Sequence, residues 1–280
     1  MARTSILTDS TSGLSIEEAG ALGIAIVPLR VTIDDKTYRE GVDLTPAAYH
    51  ELTSGDGAVL ASEPPTVREF HDAFRRLARQ SEEIVAVLAS SRLSAVVNVA
   101  RQAAQSYLGG PRVTVVDSRL TAVPLGWLAE AAAEAAAAGV DGAEIVRLLR
   151  SMIPHMYISL FVENMEPLRE SGLAPRAPAL PSSAANKPLL IIEDGELMIL
   201  ERSRSRGRAV DRLFEFVTEF HRLQRVAILQ GKPLPESLEL ATLLNEEMPD
   251  QAIETTTYPA SIAASVGTDA LGVAIYEGIG

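Results

Sequence analysis

The stretch AVLASSRLSAVVNVARQAA, residues 86–104, passes from an apolar strand pattern into a helical pattern across three serines, Ser90, Ser91 and Ser94. A strand that runs directly into a helix is half of a βαβ unit, and the rest of the N-terminal half repeats the pattern. Upstream, TSILTDS (4–10) is an apolar strand ending in polar residues, and SIEEAGALG (15–23) is a short helix with Ser15 as its cap and Gly23 after its end. Downstream, RVTVVDS (112–118) is a third parallel-type strand, and a long Ala-rich helix over 122–138 stops at Gly139. Strands alternating with helices imply right-handed crossovers and a parallel sheet. Between these units, IAIVPLRVTI (24–33) reads as one extended stretch, and TYREG (37–41) as the returning arm of a hairpin. The segment TVREFHDAFRRLARQ (66–80) carries a helical stripe of Phe70, Ala73, Phe74 and Leu77.

The pattern changes after residue 154. HMYISLFVE (155–163) is a strand, MEPLRESG (165–172) a short helix, and APRAPALPSSAANKP (174–188) is rich in proline and without periodicity. In LLIIEDGELMIL (189–200) an Asp-Gly pair separates two β-prone runs, the signal for a two-residue hairpin turn. A helix over 206–223 and further strand–helix alternation complete the chain. These patterns predict an α/β protein of two domains, an N-terminal domain with a parallel sheet over 1–154 and a C-terminal α+β domain over 155–280.

Composition narrows the function. The chain has 280 residues, 47% hydrophobic and 22% charged, with a formal net charge of −12. Cysteine is absent, so disulfides, thiolate catalysis and thiolate-bound metals are excluded. The four histidines, His50, His71, His155 and His221, have no metal-ligand spacing. An acidic protein is a poor match for nucleic acid, which needs a basic face. The basic run ERSRSRGRAVDR (201–212) reads first as a solvated turn into a helix, with a protein-docking patch as its alternative. No segment approaches the ~20 apolar residues of a membrane span. The first ten residues also lack the apolar stretch of an export signal, so a cytoplasmic protein without integral membrane contact is expected.

Hydroxyl and carboxyl groups crowd the predicted strand ends: Asp9 to Ser12, then Ser90, Ser91 and Ser94, then Asp117 and Ser118, with Ser62 and Thr66 ahead of another helix. Helix capping accounts for any one of these clusters. Four at one sheet edge would instead line a polar crevice suited to an anion. Catalysis finds less support. ASSRLSA is not the serine-hydrolase elbow, and no histidine lies on a strand-end loop of the first domain. A phosphatase-like nucleophile at Asp9 would want a second acid where Thr11 stands. No glycine-rich phosphate loop occurs.

Taken in order, ILTDSTSGLS, VPLRVTIDDKTYREGVDLTPAAYHELT, SEPPTVREF, SSRLSAVVNVA, VTVVDS and KPLLIIEDGEL resemble the DegV family over nearly the whole chain. The resemblance implies a DegV-like two-domain fold that binds a long-chain fatty acid between its domains, with no cofactor besides that ligand. It also implies a partner, the catalytic subunit of a fatty acid kinase, to which the acyl carboxylate is presented. The family's two carboxylate-holding hydroxyls fall on Ser62 and Ser94. Thr66, Ser91 and Ala95 lie within the same motifs and join the expected ligand-binding set. Three departures are visible. Leu173 stands where the family has an arginine facing the head group, and Ser265 where it has a histidine. A glycine and threonine of the pattern have become Ala95 and Val96. Non-catalytic fatty acid binding is the leading expectation. The alternatives are a phosphoryl or acyl transferase or hydrolase using Asp9 or a strand-end serine, and a degenerate member whose pocket is filled by Leu173 and Val96.

Overall fold

The computed structural model describes residues 4–53, 60–175, 187–203 and 206–278. β1 (Thr4–Asp9) is buried along its whole length, as an inner strand of a parallel sheet must be. It ends in a 3-10 turn (Ser10–Ser12) and Gly13. α1 (Ile16–Ala21) follows, with Ser15 and Glu18 capping each other's backbone N–H groups. β2 (Ile24–Val27) then pairs in parallel with β1, Ile6 opposite Ile24.

The single extended stretch expected over 24–33 is in fact two strands in two sheets. Pro28 has no N–H with which to continue the ladder, and the chain turns there. β3 (Arg30–Ile33) and β4 (Lys36–Arg39) form the expected hairpin across Asp34 and Asp35, and Asp34 takes the left-handed conformation at φ 54°. After α2 (Pro46–Leu52), β5 (Leu60–Glu63) pairs with the other edge of β3, so a small antiparallel sheet has the order β4-β3-β5. Ser62 therefore belongs to this small sheet and not to the edge shared by the other hydroxyl clusters, which corrects the grouping expected from sequence.

The remaining units are as the periodicity predicts. α3 (Val67–Leu77) buries its stripe of Phe70, Ala73, Phe74 and Leu77. β6 (Glu83–Leu88), α4 (Val96–Ser106), β7 (Arg112–Asp117), α5 (Ala122–Ala137) and α6 (Gly142–Met152) follow. The four parallel strands lie in the order β2-β1-β6-β7.

The C-terminal half begins with β8 (Met156–Phe161) and α7 (Glu166–Glu170). β9 (Lys187–Glu193) and β10 (Glu196–Ser203) form the Asp-Gly hairpin, both turn residues at positive φ, 49° and 85°. The proline-rich segment between α7 and β9 lies mostly outside the described residues. α8 (Arg206–Thr218) is shorter than the helix expected over 206–223. Phe220 leaves the helix to pack at an angle on the rings of Tyr157 and Phe216, and β11 (Leu223–Gln230) starts soon after. α9 (Pro235–Glu247), β12 (Ile253–Thr257), α10 (Ala260–Val266) and β13 (Leu271–Glu277) complete a six-stranded sheet, β10-β9-β8-β13-β11-β12, in which only the last pair is parallel. The architecture is an N-terminal parallel sheet with flanking helices plus a C-terminal α+β part. One hydrophobic cluster runs through both, from Ile6 and Leu88 to Leu190 and Ala264.

α5 packs closely on the turn after β1. A Cβ on Gly126 would lie 2.8 Å from the carbonyl oxygen of Ser12. Replacing Gly126 by alanine is expected to lower stability by ~1–3 kcal/mol through overpacking, read as a drop in thermal midpoint. Gly20 is the control. It sits in α1 at ordinary φ with nothing within 4 Å of an added Cβ, so Gly20→Ala should raise stability by about 0.5–1 kcal/mol.

Candidate functional site

The carboxyl ends of β1 and β6 are tied together by one side chain. Asp9 is fully buried and accepts hydrogen bonds from the Ala89 N–H at 2.8 Å, the Thr11 N–H at 2.9 Å and the Thr11 hydroxyl at 2.6 Å. Burial pushes its carboxyl above the usual carboxylate range, while the bonds from Ala89 and Thr11 act in the opposite sense. Asp9 is thus a structural strut that accepts three hydrogen bonds, and it is not among the residues lining the neighbouring cavity.

That cavity, of about 430 Å³, lies between the N-terminal strand ends and the C-terminal sheet. The N-terminal wall supplies hydroxyls: Thr11 after β1, Ser62 on β5, Ser94 in the turn before α4, and Thr121 ahead of α5. The opposite wall is apolar, with Ile158 and Leu160 on β8, Leu190 and Ile192 on β9, and Leu197 on β10. α7 and the residues after it form the rim through Leu168, exposed Glu170 and half-buried Leu173. α10 closes the remaining side with Ser261, Ile262, Ala264, Ser265 and Val266. Among the described residues lining the cavity, none carries a positive charge, and Glu170 is the one acid.

Of the residues singled out from sequence, Ser62, Ser94, Ala95, Leu173 and Ser265 line this one space. Ser62 and Ala95 are exposed, Ser94 and Ser265 half-buried. Ser91 and Thr66 lie outside it. The Ser91 hydroxyl donates to the Asp117 carboxylate, which also accepts the Ser91 N–H. Thr66 caps α3, accepting the Glu69 N–H at 3.2 Å while Glu69 accepts the Thr66 N–H. Both therefore act as turn and cap residues. Ala95 needs no glycine: it precedes α4 at φ −76°, an ordinary conformation for any residue. Val96 is buried in the core rather than filling the cavity.

Ser90 has a role that the sequence did not reveal. Its hydroxyl donates to the Gly195 carbonyl at 2.7 Å, docking the tip of the β9–β10 hairpin on the N-terminal half. A Cβ on Gly195 would stand 2.5 Å from that oxygen. Ion pairs from Arg92 to Glu196 and from Arg119 to Asp194, the latter at 2.9 Å, flank the contact. The hairpin supplies Leu190, Ile192 and Leu197 of the apolar wall, so this clasp holds that part of the wall in place.

A second buried acid was also missed. Glu40, just beyond β4, is 4% exposed and accepts from the Ser10 hydroxyl at 2.6 Å, the Ser261 N–H at 2.6 Å and the Ser261 hydroxyl at 2.8 Å. Burial raises its pKa. A lone glutamate after a hairpin carries no sequence signal of this. Tyr258, 2% exposed and also against the cavity, donates to the Gly267 carbonyl at 2.6 Å and so ties the two ends of α10. Among the described residues no cluster of His, Asp and Glu could hold a metal ion, and no helix is long and apolar enough to cross a membrane.

Comparison with known proteins places this architecture. A family model described as "Uncharacterised protein, DegV family" matches residues 3–278. A DegV domain-containing protein of Deinococcus radiodurans is 32% identical over 96% of this chain and 97% of its own length. One from Staphylococcus aureus is 26% identical over 99% of this chain and 100% of its own. Among solved structures, a Bacillus subtilis protein described as DegV, a fatty acid binding protein, superposes with a TM-score of 0.89 at 21% identity, covering 99% of this chain and 100% of that one. A Thermus thermophilus DegV family protein, described by its fatty acid binding, superposes with a TM-score of 0.87 at 24% identity over 98% and 99% of the two chains. The parallel sheet with its hydroxyl-lined strand ends, the Asp-Gly hairpin clasped across to it, and a family match running almost from end to end lead to one assignment: this chain belongs to the DegV family.

Proposed function

We propose that the protein binds a long-chain fatty acid without transforming it, in the cavity between an N-terminal domain of residues 1–154 and a C-terminal domain of residues 155–280. The observation that carries this reading is the make-up of the cavity wall: hydroxyls of Thr11, Ser62, Ser94 and Thr121, joined by Ser261 and Ser265 on α10, share one space with the apolar side chains of β8, β9 and β10. An amphiphile with a small polar head and a long chain complements it, and its size falls within the range of ligand cavities, roughly 300–1,000 Å³. The fatty acid binding described for the Bacillus and Thermus proteins of the same fold supports the choice of ligand.

In this reading Ser62 and Ser94 donate their hydroxyls to the carboxylate, and Ser265 approaches from α10. Neutral donors make weaker bonds than a paired guanidinium would, since charge on both partners strengthens a hydrogen bond. Leu173 supplies none. The chain then contributes most of the affinity, at ~0.8 kcal/mol per buried methylene. Presentation to a fatty acid kinase catalytic subunit is the partner this family suggests. With Leu173 and Ser265 in place of the arginine and histidine, the carboxylate is held less firmly for attack on a phosphoryl group.

Three measurements test the reading. Delipidated protein titrated with saturated fatty acids should bind about fourfold more tightly for each added methylene until the cavity is filled. Failure to bind any chain length, or steady hydrolysis of simple esters or phosphates, would sink it. Ser62→Ala and Ser94→Ala should each weaken fatty acid binding by about tenfold, the loss of one hydrogen bond to a charged group, and Ser62→Ala should leave the thermal midpoint nearly unchanged because Ser62 is exposed, whereas the Ser94 hydroxyl also accepts the Val96 N–H at 3.3 Å. Finally, loaded protein mixed with a fatty acid kinase catalytic subunit and ATP should yield acyl-phosphate slowly, and Leu173→Arg should raise fatty acid affinity by about tenfold. Fast turnover by the natural sequence would show that neither the arginine nor the histidine is needed.

A further inference from the structure

α10 closes the cavity, yet it is a short helix with no cap of its own. Pro259 precedes it and offers no side-chain acceptor. The Ile262 and Ala263 N–H groups both reach back to the Pro259 carbonyl, at 3.1 and 3.0 Å, which leaves Ser261 to find a partner elsewhere. That partner is Glu40, 221 residues away in sequence. Its carboxylate takes the Ser261 N–H on one oxygen and the Ser261 and Ser10 hydroxyls on the other. The acceptor for the first turn of α10 thus comes from the opposite half of the molecule.

Glu40 is itself rigidly placed. Its N–H donates to the Leu29 carbonyl at 2.9 Å, and the Leu29 N–H donates to the Ser10 hydroxyl at 2.8 Å, closing a loop of bonds around the acid. Leu29 and Ser261 line the cavity. α10 also lies against β5, the strand of Ser62, and carries Ser265 one turn beyond Ser261.

We infer that Glu40 is a positioning residue for the ligand head group: by pinning Ser261 it sets where α10 stands over β5, and so fixes Ser265 relative to Ser62 across the cavity. The inference rests on the fatty acid reading for its ligand but not for the pin itself. Glu40 makes no claim on the acyl chain, whose wall comes from β8, β9 and β10. Its loss should therefore blur recognition of the head group while leaving the preference for chain length unchanged.

The full-length protein tests both parts. In ligand-free protein, Glu40→Ala should speed amide exchange across 260–266 by at least about tenfold, with β1 and β6 unaffected, since local opening tracks local contacts. For palmitate the affinity should fall by about tenfold, and for hexadecanol by less than about threefold, because the acid depends more on placed donors. Glu40→Gln keeps the shape and an acceptor for the Ser261 N–H, so it should restore most of both. Ser261→Ala, a milder change that retains the helix, should shift the palmitate-to-hexadecanol ratio in the same direction. Unchanged exchange in α10, or equal loss of acid and alcohol, would overturn the inference, the second by reducing Glu40 to a purely structural role. Wild-type protein that binds neither ligand sinks the fatty acid reading and the head-group half of this one, while the exchange experiment still decides the pin.

Discussion

The N-terminal wall of the cavity depends on the burial of one carboxylate. Asp9 has no access to water, so its oxygens must be matched inside the protein. The Ala89 N–H at the end of β6 and the N–H and hydroxyl of Thr11 do this. The consequence is geometric. Two parallel strands are held together where they stop, and the 3-10 turn between Asp9 and Gly13 is wound so that Thr11 faces the cavity while Ser10 faces Glu40. Without the carboxylate, the Ala89 N–H would be buried with nothing to bind, at a cost of ~1–3 kcal/mol. The tightest contact of α5, Gly126 against the Ser12 carbonyl, presses on the same turn from behind.

The two halves meet through polar contacts of unequal burial. Glu40 and Ser90 make theirs out of water, whereas Arg92 with Glu196 and Arg119 with Asp194 remain largely solvated. Solvated pairs contribute little, about 0–1 kcal/mol. The buried bonds fix orientation, because a displaced partner leaves an unmatched acceptor. Between these polar points the hydrophobic cluster is continuous from one half to the other.

Much of this was legible in the sequence. The alternation of strand and helix, the stripe of Phe70 to Leu77, and the Asp-Gly hairpin are local signals with local causes. So are the caps at Ser15 and Thr66. What escaped was set by distance. Nothing near Pro28 says that the strands on its two sides join different sheets, because the choice is made by partners far along the chain. Ser62 could not be assigned to the small sheet for the same reason. The three serines after β6 look alike on the page. In space Ser90 reaches a hairpin 105 residues away, Ser91 turns to Asp117, and Ser94 faces the cavity. Family resemblance separated Ser94 from the other two, where composition and periodicity could not. Glu40 was invisible on both counts, since its partner is Ser261.

The clasp at Gly195 carries a consequence for the conditions under which the cavity wall keeps its place. Its two ion pairs stand in water, where added electrolyte screens them within a Debye length of about 8 Å at physiological ionic strength. The Ser90–Gly195 bond between them is dry and neutral, so it is indifferent to electrolyte. Glycine is also required at that position twice over, by the left-handed turn and by the 2.5 Å approach of the Ser90 oxygen. Because one residue serves both the turn and the docking, the wall can neither slide in register nor drift away in brine without disturbing both.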